Sequence, residues 1–98
     1  MAYEIEYSND AIDHLRHLTA RQRSILFDAV DEQLANQPNV ETRNRKLMRP
    51  NPLAVWELRI EDLRAYYDID ESKQLVIINA IGIKRGNIVW IGGEEVPL

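Results

Sequence analysis

A chain of 98 residues with 45% hydrophobic side chains can build one small domain, burying a little over ~60% of its unfolded surface, and is too short for two. It has no cysteine, which excludes a disulfide framework or a thiolate metal site and fits an intracellular setting. The net charge of −4 argues against indiscriminate nucleic-acid binding, and no apolar run approaches the ~18 residues of a membrane span.

The charge is unevenly spread. Residues 1–42 hold three basic side chains against eight acidic ones, whereas residues 43–98 hold nine against eight. Arg43, Arg45, Lys46 and Arg49 fall within seven positions, so an acidic protein can still carry a local basic patch. The start, MAYEIEYSND, has no basic segment followed by an apolar core, so no export signal is expected and the protein is read as cytoplasmic.

Tyr3, Ile5 and Tyr7 alternate with Glu4 and Glu6, the pattern of a short half-buried strand. Ser8, Asn9 and Asp10 offer helix caps, and Ala11, Leu15 and Leu18 give a short helix its apolar face. Thr19 with Gln22 has capping-box form and predicts a second helix, striped by Ile25, Leu26, Ala29, Val30 and Leu34 and ended at Asn36-Gln37-Pro38. From Pro38 to Leu53 no period persists, so a long loop is expected, with a short strand or turn around Arg45 to Leu47.

Val55 to Tyr67 reads as a β-hairpin turning at Glu61-Asp62. Strand alternation puts Trp56, Leu58 and Ile60, then Leu63, Ala65 and Tyr67, on a core face. Arg59, Arg64 and Tyr66 fall on the outer face, where a solvated sheet and an RNA-binding surface would both use such residues. Leu75 to Ile83 is the most apolar run and suits a central strand; Ile88 to Ile91 suits an edge strand, and the tail from Glu94 to Leu98 carries no pattern. The expected architecture is α+β: one domain over residues 1–98, with an N-terminal strand, a two-helix hairpin and an antiparallel three- to four-stranded meander.

His14 and His17 are spaced to share a side of the first helix but lack a third ligand of certain placement, so no metal site is assigned. No nucleophile elbow or phosphate loop is present. Trp90 and Tyr66 could stack on bases or pack in a core, and Lys84 and Arg85 could hold a phosphate beside Arg64 or keep a strand end in water.

Several segments together resemble the RelE/ParE superfamily of bacterial toxin–antitoxin modules. They are Lys46-Leu47; Trp56-Glu57-Leu58-Arg59 followed by Arg64-Ala65-Tyr66-Tyr67-Asp68; and Ile81 to Asn87 at the end of the apolar strand. With the N-terminal strand and helical hairpin, the resemblance runs from about Tyr3 to Ile91. It implies a toxin neutralised by a cognate antitoxin, and on the RelE-like branch a metal-independent endoribonuclease that cleaves mRNA on the ribosome without a cofactor. The alternative it carries is a ParE-like inhibitor of DNA gyrase, or a member that binds only its antitoxin.

Residue by residue, the resemblance places Arg64 as the transition-state arginine and Arg59 on a basic strand position. Lys84 takes the place of a second arginine, Arg85 stands in if the register slips, Lys46 contacts phosphate, and Trp90 stacks on or orients the substrate; Tyr66 joins the substrate-binding residues on its aromatic ring alone. Glu57 stands where strongly nucleolytic members carry lysine, and Trp90 where the best-known members carry tyrosine.

Overall fold

The structure is a computed structural model and describes residues 2–97, so the two end residues of the domain expected over 1–98 lie outside it. The N-terminal alternation forms β1 (Glu4–Tyr7). Ser8 caps α1 (Asn9–Leu15), its Oγ accepting from the Ala11 amide at 3.1 Å. Helix α2 (Ala20–Leu34) opens on the full capping box: Thr19 Oγ1 accepts from Gln22 N at 3.1 Å and Gln22 Oε1 from Thr19 N at 2.9 Å.

Six further strands follow: β2 (Arg45–Leu47), β3 (Trp56–Ile60), β4 (Leu63–Asp70), β5 (Leu75–Arg85), β6 (Ile88–Ile91) and β7 (Glu94–Val96). They lie in the order β2-β3-β4-β5-β6-β7, each antiparallel to the next, while β1 runs parallel to β5. The meander is therefore longer than the three to four strands expected. The patternless tail supplies β7, and β6 is an inner strand because β7 covers its edge. Three residues with two exposed glutamates carry too little alternation to mark a strand; pairing to β6 defines it.

The helices cover one face of the sheet. Leu26, Val30 and Leu34 of α2 and Ala11 of α1 are fully buried against Leu58, Tyr67 and their neighbours, and Trp56 stacks on Tyr67 with centroids 5.9 Å apart. Arg45, counted above in the basic cluster, is buried: its guanidinium donates to the carbonyls of Val40 and Gln33, each at 2.9 Å. The second of these is an end carbonyl of α2, which has no basic residue in its own last turn, so β2 supplies the cation that this negative helix end favours.

The other face is not uniformly solvated. Tyr66, Ala80 and Ile91 form a second apolar cluster with Ala54, and Met48 and Leu53 of the β2–β3 loop pack against it. The end of this face near the β3–β4 turn stays open. That separation depends on a β-bulge. Tyr66 pairs with Ala80 but Tyr67 with Ile78, so Asn79 is an extra residue in β5. Val76 and Ile78 before it, and Ile81 and Ile83 after it, all reach the helix-side core, which a regular strand could not arrange. The Asn79 amide donates to Leu53 O at 3.0 Å and Asp68 Oδ2 at 2.7 Å, tying the bulge to the loop and to β4.

The bulge also falls in a gap along one edge of β5, between the residues that pair with β1 and those that pair with β6. Helix α1 fills it. Ser8 Oγ donates to Asn79 O at 3.0 Å, and His14 Nδ1 accepts from the Ile81 amide at 3.2 Å. His14 is thus a half-buried structural acceptor, while His17 is exposed and lies beyond the end of α1. Burial lowers the His14 pKa below its ordinary 6.5, outweighing the opposing pull of Asp10 and Asp13. The neutral form is the one the fold favours, so His14 contributes stability above about pH 6.5 that is lost as pH falls through that value and toward the depressed folded pKa. Thermal melts between pH 7.5 and 5 should show a falling midpoint, and His14→Gln, which keeps an acceptor but does not titrate, should flatten that slope. An unchanged slope in the variant would place the titrating group elsewhere.

Candidate functional site

The open end of the second face is built by alternation. Glu57 and Arg59 on β3, Arg64 on β4 and Lys84 on β5 all point to this side, and Arg59 and Arg64 are direct cross-strand partners. Glu57, Arg59, Arg64 and Lys84, with Asn87 and Val89, line a recess of about 190 Å³. A larger recess of about 520 Å³ adjoins it under the β2–β3 loop, lined by Lys46, Met48, Arg49 and Asn51 and sharing Glu57 and Arg59 with the first. The two form one groove with the Glu57–Arg59 pair between its lobes.

The four charged groups are held differently. Arg64 is 9% exposed, and its Nη1 donates to the carbonyls of Glu61 and Leu63, both at 2.8 Å. Those bonds close the β3–β4 turn, where Glu61 takes a positive φ of 52°, and they leave Nε and Nη2 of a five-donor group to meet a ligand. Lys84 is exposed at the rim, anchored through its amide to Asp62 O at 2.7 Å. Glu57 accepts from Arg59 Nε at 2.7 Å; its side chain is 14% exposed and that of Arg59 50%. Glu57 also lies between Lys46 and Tyr66 as cross-strand neighbour of both. A partly enclosed recess with three cations against one carboxylate, adjoined by Lys46 and Arg49 in the larger lobe, is suited to an anion with several oxygens.

Not every expected site residue belongs to this groove. Arg59, Arg64 and Lys84 converge, and Lys46 lines the adjoining lobe. Arg85 and Trp90 line a separate cavity of about 240 Å³ on the helix side, with His14, His17, Gly92 and Gly93. The reason is phase. Lys84 pairs with Val89 and Ile83 with Trp90, so Trp90 shares the face of core residue Ile83, and the bulge sends Lys84 rather than Arg85 to the groove. Tyr66 is fully buried, so base stacking is closed to it. Its hydroxyl has no hydrogen-bond partner, and its pKa is raised first by burial and then by the Glu57 carboxylate, against the opposing pull of Arg64 and Arg59.

Arg49 of the basic cluster lines the larger lobe, and Asn87, to which the sequence assigns no role, lines the recess; Gly86 before it, with φ 63°, marks the turn that brings it there. Among the described residues no three His, Cys, Asp or Glu side chains gather as a metal-binding group, and no helix is long and apolar enough to cross a membrane.

The architecture, a two-helix hairpin on an antiparallel sheet that takes in a parallel N-terminal strand, is the RelE-like α+β fold. Among solved structures, a chain of the toxin–antitoxin complex RelBE2 from Mycobacterium tuberculosis is similar to it, with a TM-score of 0.75 at 20% identity, over 86% of this chain and 93% of that one. No protein-family model and no curated protein matches the chain.

Proposed function

We propose that this chain, as one domain over residues 1–98, is the toxin of a toxin–antitoxin pair and acts in the cytoplasm as a metal-independent endoribonuclease on mRNA held by the ribosome. The observation that carries the reading is the convergence of Arg59, Arg64 and Lys84 with Glu57 in one recess of a RelE-like fold. Cleavage of this kind proceeds by attack of a ribose 2′-oxygen on the adjacent phosphorus. The P–O5′ bond breaks, leaving a 2′,3′-cyclic phosphate and a 5′-hydroxyl.

Each group has a role set by its chemistry. The 2′-hydroxyl must lose a proton, and Glu57 is the one group lining the recess that can accept it near neutral pH: arginine and lysine are already protonated, and the Tyr66 phenol beneath is pushed up. Arg64, fixed by two carbonyls, offers its remaining donors to the phosphoryl oxygens as their charge grows. Arg59 neutralises the same phosphate once it leaves Glu57, and Lys84 at the rim can return a proton to the leaving 5′-oxygen. Lys46 and Arg49 follow the RNA backbone along the larger lobe.

The Glu57–Arg59 ion pair favours a second reading, because it neutralises one of the three cations in the free protein. On that reading the chain does not cut RNA and binds DNA gyrase or its antitoxin alone. One pair of assays decides. Programmed ribosomes incubated with the purified protein should yield new mRNA 5′ ends by primer extension, and gyrase supercoiling should be unaffected. Intact mRNA together with trapped, cleaved DNA would overturn the nuclease reading. On either reading the partner is a cognate antitoxin, as the RelBE2 complex has one.

A further inference from the structure

Tyr66 is the one buried side-chain polar group among the described residues without a hydrogen-bond partner. Its ring is fixed by Ala54, Ala80 and Ile91, so the hydroxyl cannot turn out to water. Burying a hydroxyl without a partner is unfavourable, and such a group is kept where something else uses it. The charged groups around this hydroxyl are those of the recess: Glu57 directly across the strand, then Arg64 and Arg59. The Glu57 carboxylate is close enough to act on the phenol by its charge and as an acceptor, but closes no hydrogen bond with it, and in the free protein it is bound to Arg59 Nε at 2.7 Å.

A phosphate entering the recess competes for that guanidinium, which is half exposed where Glu57 is nearly covered. Taking Arg59 away would leave a mostly buried carboxylate short of a partner. We propose that Tyr66 is a positioning residue that receives Glu57 at this moment: the phosphate takes Arg59, the carboxylate turns to Tyr66, and the hydroxyl donates to it. A contact between phenol and carboxylate that is not closed before binding, and a carboxylate deprived of Arg59 after it, are resolved in one move. This inference rests on the reading of the recess as a phosphate site. It does not require that the RNA be cut.

Turning Glu57 also aims it. Held by Arg59 it is engaged by a cation; held by the phenol it keeps one oxygen for the 2′-hydroxyl.

Tyr66→Phe removes the oxygen and nothing else. A short 2′-O-methyl RNA, which binds but cannot be cleaved, is the probe, titrated at fixed salt by fluorescence anisotropy. The wild type should bind; Tyr66→Phe should bind about tenfold more weakly. Its thermal midpoint should be unchanged or higher, because the hydroxyl has no partner in the free protein. In a Glu57→Ala background, Tyr66→Phe should have no effect on affinity. Equal affinity for wild type and Tyr66→Phe overturns the inference, as does a lower midpoint or an equal loss in the Glu57→Ala background, since either marks a structural role. Failure of the wild type to bind overturns both this inference and the phosphate reading. Binding without ribosome-dependent cleavage overturns the proposed reaction alone.

Discussion

Deletion of Asn79 should leave the chain unable to reach its native state, although it removes only one residue of a bulge. Without it β5 becomes regular, and either the residues before the bulge or those after it must change face. If the later part turns, Ile81 and Ile83 leave the core, forfeiting about 3–6 kcal/mol for the two side chains. Lys84 is driven toward the helices at the same time. A small domain holds only about 5–15 kcal/mol in total. Asn79→Ala separates the bulge from its side chain, since it keeps the residue count and loses only the bonds to Leu53 and Asp68, at a cost of about 1–3 kcal/mol. Circular dichroism melts and amide dispersion in a ¹⁵N spectrum distinguish the two variants. A deletion variant that melts cooperatively near the wild type would show that β5 can recover its phase elsewhere.

Arg64→Ala should lower ribosome-dependent cleavage by about 10²–10³-fold, the scale for loss of one preorganised donor to a developing oxyanion. The guanidinium also ties the carbonyls of Glu61 and Leu63, so its removal should lower the thermal midpoint as well, and the rate must be read well below the new midpoint. Arg64→Lys keeps the charge but cannot hold both carbonyls and present a fork, so it should recover only part of the rate. Lys84→Ala and Arg85→Ala form a matched pair that removes one positive charge from adjacent residues on opposite faces. The first should reduce cleavage and the second should leave it within about twofold, since only the long-range field changes. Equal losses from the pair would mean that charge near the strand end, not its face, is what matters.

Much of this arrangement is legible in the amino-acid order because strands alternate. Trp56, Leu58, Ala65 and Tyr67 announce a core face, and the same period puts Arg59 and Arg64 together on the other. The capping box at Thr19 is local chemistry and can be read directly. What escaped depends on contacts between distant segments. The bulge is invisible in Leu75 to Ile83 because an all-apolar run looks the same in either phase, and with it went the choice between Lys84 and Arg85. Arg45 reads as one of four surface cations until the end of α2 is seen to lie beside it. Tyr66 reads as an outer-face residue until the β2–β3 loop and β6 close over it.

The parallel pairing of β1 with β5 has a consequence for the order in which the molecule is made. Glu4 meets Leu75 and Tyr7 meets Ile78, so the strand synthesised first waits roughly seventy residues for its partner. Helix α1 waits with it, because Ser8 and His14 find their partners on the same part of β5. The β3–β4 hairpin has only local contacts to satisfy and can form early, carrying Arg59 and Arg64 with it. Lys84 comes later on the same long strand that admits β1. A nascent chain therefore can hold two of its three recess cations before it has a closed core, and completes the recess and the docking of β1 in one late step.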